Sequence, residues 1–178
     1  RLLSYLVRNQ HWSPFEMVSA CFEISTSRAI GRQILRHRSF SFQEFSARFA
    51  EVTTMVPIAW RKQAEKNRQS STDDLDPNTR ELAEAMTEEA LEHTQQAYQA
   101  LLLLGVAREC ARMLLPECST SRMYMAGTLR SWIHYVELRT QADTQLEHRL
   151  IALDIKKQLC ALAPITAEAL EWIDEVER

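Results

Sequence analysis

From Arg80 to about Leu104 one long helix fits the chain, with Leu82, Met86, Ala90, Thr94, Ala97 and Leu101 falling near a single stripe. Gly105 can end it, and Val106 to Leu115 reads as a second, short helix before Pro116. Only three glycines and five prolines occur among 178 residues, so long glycine-dependent loops are disfavoured and helix is favoured throughout.

Strand signals are fewer but clear. From Val18 to Ile24, apolar Val18, Ala20, Phe22 and Ile24 alternate with Ser19, Cys21 and Glu23, the period of a strand with one buried face. Met123 and Met125 alternate in a second strand, where they are expected to fill sheet core rather than do redox chemistry. Around these lie further helices. Leu2, Leu3, Leu6 and Val7 place the start of the chain inside an amphipathic helix with no capping residue before it, so a preceding segment is expected to be missing. Ser13-Pro14 marks a turn or helix start, and Ser25, Thr26 and Ser27 offer N-caps for a helix to about Arg36. Thr128 to Leu138 and Asp143 to Leu162 read as helices, with Pro164 opening a last one. Lys62 to Thr79 is polar, with Ser70-Ser71, Asp73-Asp74 and Asp76-Pro77, and reads as a solvent-exposed loop at 62–79. The expected fold is α+β: one helix-rich domain over residues 1–178 with a small, mostly antiparallel sheet.

Composition narrows function mainly by exclusion. Apolar residues make up 46% and charged residues 25%, and the net charge of −3 gives no global pull toward nucleic acid or acidic membranes, so anion binding must rest on local arginines. The longest apolar run, Leu101 to Leu104, is far too short to span a bilayer, and no secretory signal opens the chain; a cytoplasmic protein is expected, or one in the host-cell cytoplasm if virus-encoded. Cys21, Cys110, Cys118 and Cys160 show no CxxC spacing and read as reduced thiols. His93 and His148 each follow a glutamate, but no HExxH or paired ligand spacing exists, so no metal site is expected. The basic stretch Trp60-Arg61-Lys62 with Lys66 and Arg68 reads as a solvated loop before it reads as an RNA contact.

Chemistry gathers between Arg28 and Phe49. Arg28, Arg32 and Arg36 recur every four residues, with Gln33 three before Arg36. Like charges at that spacing repel unless something anionic faces them. Left to itself, such a stripe is solvated or salt-bridged; phosphate is the functional reading, because guanidinium binds it through a charged fork. The stripe runs into Arg36-His37-Arg38 and then Ser39-Phe40-Ser41-Phe42-Gln43-Glu44-Phe45-Ser46-Ala47-Arg48-Phe49. If the end of this stretch is extended, Glu44, Ser46 and Arg48 share one face, while Phe45, Ala47 and Phe49 anchor the other. An acceptor, a hydroxyl and a guanidinium on one face suit a nucleotide.

Arg36-His37-Arg38, with Ser41, Glu44, Ser46 and Arg48, resembles the signature R-H-R-x-x-S-x-N-E-x-S-x-R-Y of the flavin-dependent thymidylate synthases; Gln43 stands for the usual Asn and Phe49 for the usual Tyr. His11-Trp12-Ser13-Pro14-Phe15-Glu16-Met17 is similar to the family's H-x-[ST]-P-F-E-H, with Met17 in place of the last His. Val106 to Pro116 resembles the helix whose arginine, here Arg112, meets substrate. Thr128-Leu129-Arg130 with His134, and then Leu138-Arg139, resemble the flavin-holding region and the late arginine.

The resemblance implies an enzyme that converts dUMP to dTMP, with methylenetetrahydrofolate as one-carbon donor, NADPH as reductant and FAD as tightly bound cofactor. It places Gln33, Arg36, Glu44, Phe45, Ser46, Ala47, Arg48, Arg112 and Arg139 at dUMP, with Arg48 and Arg112 on the phosphate and Arg139 as the catalytic residue at the uracil edge. It places Ser13, Arg36, His37, Arg38, Glu44, Thr128, Arg130 and His134 at FAD, with no GxGxxG anywhere in the chain. Arg130 and His134, four apart, share a helix face. Ser46 is expected to orient dUMP rather than attack it, since no base stands at a predictable position beside it. A homotetramer with sites shared between subunits is implied, and the arginine load agrees. Two rivals remain: a non-catalytic homologue that holds FAD or dUMP, favoured by Met17, and an RNA-binding helical protein using the Arg28, Arg32, Arg36 stripe.

Overall fold

The computed structural model of the chain describes residues 1–173. In chain order the elements are α1 (Leu2–Arg8), a 3-10 turn (Ser13–Glu16), β1 (Ser19–Ser27), α2 (Arg28–Ile34), β2 (Ser41–Glu44), β3 (Lys62–Gln63), β4 (Ser71–Thr72), α3 (Pro77–Leu103), α4 (Arg108–Ala111), a second 3-10 turn (Arg112–Leu114), β5 (Thr120–Thr128), α5 (Leu129–Arg139), α6 (Leu146–Leu162) and α7 (Pro164–Ala169). Helices dominate around a small sheet of order β1-β5-β2, as expected of an α+β domain. The Leu129 N–H donates to the Val18 carbonyl at 2.8 Å, and the Arg28 N–H donates to the Ser119 carbonyl at 2.9 Å, so β1 and β5 run antiparallel.

Backbone proximity groups the chain into two compact units. One comprises residues 1–24, 34–42 and the chain from Tyr124 onward; the other comprises 25–33 and 43–123. In the first, α5 packs on α6 and on the Ser13–Glu16 turn, while α7 meets both α1 and α6. Its core is aromatic: the Trp132 ring stands edge-on to Phe22 at 4.9 Å and to Phe40 at 4.6 Å. The indole N–H donates to the Ala20 carbonyl at 3.1 Å. Gly127 is required beside this cluster, since a Cβ there would lie 2.5 Å from the Phe40 ring. In the second unit α3 packs on α4 and the Arg112–Leu114 turn, with Tyr98, Ala111, Ile30 and Met123 buried.

Period-two alternation is what makes β1 and β5 strands. Phe22, Ile24 and Thr26 of β1 are buried, as are Ser121, Met123 and Met125 of β5. Three differences from the sequence expectations have physical causes. The 62–79 stretch is not all loop: β3 and β4 pair as an antiparallel hairpin, Lys62 with Thr72 and Gln63 with Ser71, and α3 begins at Pro77. Asp76 caps that helix, its carboxylate accepting from the Thr79 N–H, with Pro77 pre-set in the first turn. Second, the packed face of α3 runs through Ala83, Thr87, Leu91, Thr94 and Tyr98, whereas Leu82 and Met86 of the expected stripe stand exposed. Third, α2 stops at Ile34, so Arg36 leaves the helical face that Arg28 and Arg32 share. Gly105 does end α3, with φ of 81°.

Candidate active site

α5 carries most of what the first unit offers. Thr128 caps the helix, its hydroxyl accepting from the Ser131 N–H at 3.3 Å, and Ser131 Oγ donates to the Ser39 carbonyl at 3.3 Å. Arg130 and His134, one turn apart, line a cavity of about 550 Å³ with Trp12, Glu16, Ser39 and Glu137. Arg130 is ion-paired to Glu16 of the Ser13–Glu16 turn, the turn that also places Ser13. Burial raises the Glu137 carboxyl above the usual carboxylate range, opposed by His134 and Lys156.

Arg139 closes α5 and its Nε donates to His37 Nε2 at 2.9 Å. The imidazole packs edge-on against Tyr135, with ring centroids 4.9 Å apart. Burial, then the Arg139 cation and His134, hold the His37 pKa down at about 4, so the ring is neutral at physiological pH. A half-buried guanidinium therefore sits against an uncharged base at the end of a rigid helix.

The second unit holds the remaining signature residues. Glu44 ends β2, and its Oε1 accepts from Ser121 Oγ of β5 at 2.6 Å. The Phe45 N–H donates to the Arg122 carbonyl at 2.9 Å, and the Arg122 guanidinium lies over the Phe45 ring at 4.0 Å. A groove of about 160 Å³ is bounded by Phe45, Ser46 and Ala47 on one side and Thr120, Ser121 and Arg122 on the other. Beyond Glu44 the chain does not stay extended. Ser46 Oγ accepts from the Arg48 N–H at 3.2 Å and the Ser46 carbonyl accepts from the Phe49 N–H at 3.0 Å, which folds 46–49 into a turn. The expected two-faced pattern is broken there: Ala47 is buried, but Phe49 is 78% exposed and Phe45 is 45% exposed, so neither ring anchors the segment. Glu117 supplies the anion that the arginine stripe lacked, pairing with Arg32. Arg112 opens the 3-10 turn after α4.

The expected flavin residues thus fall in the first unit except for Glu44, and the expected dUMP residues fall in the second except for Arg36 and Arg139. Ser121 and Arg122 were missed. Ser121 could have been found as the one polar residue in phase with Met123 and Met125 on the buried face of β5. The four cysteines are free thiols, and burial raises the pKa of both Cys118 and Cys160, the opposite of nucleophile activation. Among the described residues no cluster could hold a metal ion, and no helix is long and apolar enough to cross a membrane.

The family model described as thymidylate synthase complementing protein matches residues 1–165. A flavin-dependent thymidylate synthase of Synechocystis sp. is 47% identical over 172 residues, covering 97% of this chain and 80% of the relative. The chain belongs to the flavin-dependent thymidylate synthase family. A probable flavin-dependent thymidylate synthase of Paramecium bursaria Chlorella virus 1 is 43% identical over 97% of this chain and 80% of its own. Among solved structures, a UMP/dUMP methylase from Streptomyces cacaoi bound with 5-Br UMP superposes with a TM-score of 0.87 at 31% identity, over 96% of this chain and 80% of that one.

Proposed function

We propose that this chain converts dUMP to dTMP, taking the one-carbon unit from methylenetetrahydrofolate and the hydride from NADPH by way of FAD, in the cytoplasm of a cell or of a virus's host. The observation that carries this reading is Arg139, fixed at the end of α5 on the neutral His37 ring. A guanidinium held in place beside the pyrimidine edge stabilises negative charge developing on N3 and O4 without reorganising when the reaction occurs.

The residues present fit FAD. Arg130 and His134 line a 550 Å³ cavity that has Trp12 on its wall, giving a cation, polar donors and a ring face for an anionic aromatic cofactor. Arg36, His37, Arg38, Ser13, Thr128 and Glu44 complete the expected set, with Thr128 working through the cap that positions Arg130. When bound, reduced FAD supplies the hydride that the pyrimidine receives. For dUMP, Arg48 and Arg112 grip the phosphate. Glu44, held by Ser121, and Ser46 meet sugar and base, with the Phe45 and Ala47 segment, Gln33 and Arg36 alongside. The exposed Leu82, Met86 and Leu103 of α3 and the exposed Phe49 suit burial between copies, in the homotetramer that would share its sites among subunits.

An absorbance spectrum of the purified protein, followed by NADPH oxidation and dTMP assays with dUMP present, tests the reading; bound flavin and dTMP are expected. A second reading, a flavin- and dUMP-binding homologue without turnover, rests on Met17, which is 80% exposed where the family motif has histidine. A yellow protein that oxidises NADPH faster with dUMP yet makes no dTMP would favour it. Light scattering tests assembly, and a monodisperse monomer that turned over dUMP would sink the shared-site proposal.

A further inference from the structure

Behind His37 stands a second histidine that no proposed binding role uses. His148 of α6 is wholly buried, and its Nε2 lies 3.1 Å from the hydroxyl of Tyr135, itself wholly buried. The His148 ring also stands nearly perpendicular to His37, at 86°, with centroids 6.1 Å apart. His37 is therefore bounded by Tyr135 at 4.9 Å, by Phe40 at 6.5 Å and by His148, while its Nε2 takes the Arg139 Nε–H.

The Arg139 hydrogen bond fixes which nitrogen of His37 carries the proton. A guanidinium can only donate, so the His37 nitrogen that meets it must carry a lone pair. Nε2 is then unprotonated, and the ring's single proton sits on Nδ1. The titratable groups facing His37 are Arg139, His134 and Tyr135 from α5 and His148 from α6; burial keeps the Tyr135 phenol protonated, and the Arg139 cation beside Nε2 works against a second proton on His37.

We propose that His148 and Tyr135 are positioning residues for Arg139, acting through His37: they lock the imidazole as its Nδ1–H tautomer with Nε2 aimed at the Arg139 guanidinium. A buried polar pair under a half-buried ring is costly unless the pair is hydrogen-bonded. Here the bond between His148 and Tyr135 fixes the Tyr135 ring, and that ring is the wall against which His37 turns. Without the bond that fixes this wall, His37 would sample both tautomers and several orientations. Arg139, a long side chain with high rotamer entropy, would lose the fixed acceptor that His37 gives its Nε–H. This inference rests on the catalytic role proposed for Arg139, but the tautomer and the orientation are properties of the protein alone.

The test uses the full chain with ¹⁵N-labelled histidine, and Tyr135→Phe as the variant, which removes one hydroxyl and conserves ring volume. Long-range ¹H–¹⁵N spectra of the wild type are expected to show His37 protonated on Nδ1 with Nε2 bare. In Tyr135→Phe the His37 signals should average between tautomers. In the same variant kcat should fall roughly tenfold, with KM for dUMP and flavin content within about twofold of wild type. His148→Gln, which retains a partner for the Tyr135 hydroxyl, should lie between wild type and Tyr135→Phe.

A wild-type spectrum with the proton on Nε2 overturns the proposal. So does a Tyr135→Phe protein whose melting temperature drops while kcat and the His37 signals stay unchanged, since that role is structural only. Should the wild type hold no flavin and make no dTMP, the enzymatic reading fails, and the tautomer spectrum still decides whether the His148–Tyr135–His37 chain exists.

Discussion

Arg139 and Glu44 are each held by a neighbour, and the two holds make different predictions. Arg139→Ala is expected to abolish dTMP formation, a loss of 100-fold or more in kcat on the order seen when one pre-aimed donor is removed, while FAD stays bound. Arg139→Lys should fail nearly as badly, because an ammonium lacks the planar fork and the Nε–H that His37 receives. Turnover assays on flavin-loaded protein check both; near-normal turnover in Arg139→Ala removes it from the catalytic role. At Glu44 the neighbour is Ser121, whose hydroxyl donates at 2.6 Å. Ser121→Ala should free the carboxylate to wander, raising KM for dUMP about fivefold to tenfold, the equivalent of roughly 1 kcal/mol for one hydrogen bond to a charged group. Ser121→Thr keeps the hydroxyl and should restore KM. An unchanged KM in Ser121→Ala would mean that Glu44 orientation does not limit dUMP binding.

At the scale of elements, α5 decides the arrangement, since its first turn carries Arg130, its second His134 and its last residue is Arg139. The Thr128 cap sets where that helix begins. Thr128→Ala is expected to cost about 1 kcal/mol, a melting shift of roughly 2–4 °C for a chain of this size, with faster flavin loss; Thr128→Ser should be near neutral. Thermal melts and flavin fluorescence measure the two effects separately. α5 was legible in the sequence as a helix over Thr128 to Leu138, though its Thr128 cap was not, and β1 and β5 were legible because apolar residues alternate with period two. Other features were set by tertiary partners that spacing cannot show. The Leu82–Met86 stripe is apolar, but α3 exposes it and turns Ala83, Thr87 and Leu91 to its less exposed face. Phe49 has the composition of an anchor, yet Ser46 bends the chain before it can act as one. The pairing of Glu44 with Ser121 joins residues 77 apart in sequence, invisible without the β2–β5 neighbourhood.

Over the whole molecule, burying two imidazoles makes stability depend on pH in a definite direction. His37 and His148 both have folded pKa values of about 4, chiefly because burial disfavours the charged ring, against 6.5 for an ordinary histidine. Between pH 6.5 and 4 the unfolded chain binds protons that the folded chain refuses, so unfolding free energy rises with pH across that window. The stabilisation is fully present above 6.5 and is lost progressively as pH falls toward 4. Glu137 opposes this, because a raised folded pKa adds stability on the acid side. Asp74 acts with the histidines, but only below its ordinary value of 3.8. His148 is wholly buried and carries most of the loss, while half-exposed His37 is screened by water; together they amount to on the order of 2–3 kcal/mol. The rings lie 6.1 Å apart and share the Arg139 field, so protonating one resists the other, and they titrate as a pair rather than singly. Urea unfolding at pH 7 and pH 4.5 measures the drop. His148→Leu should be less stable than wild type at pH 7, because it leaves the Tyr135 hydroxyl without the partner it had in His148, yet it should lose much less between pH 7 and 4.5. A pH dependence in His148→Leu as steep as the wild type's would assign the acid sensitivity to carboxylates instead, and would separate the molecule's stability from the ring pair that faces Arg139.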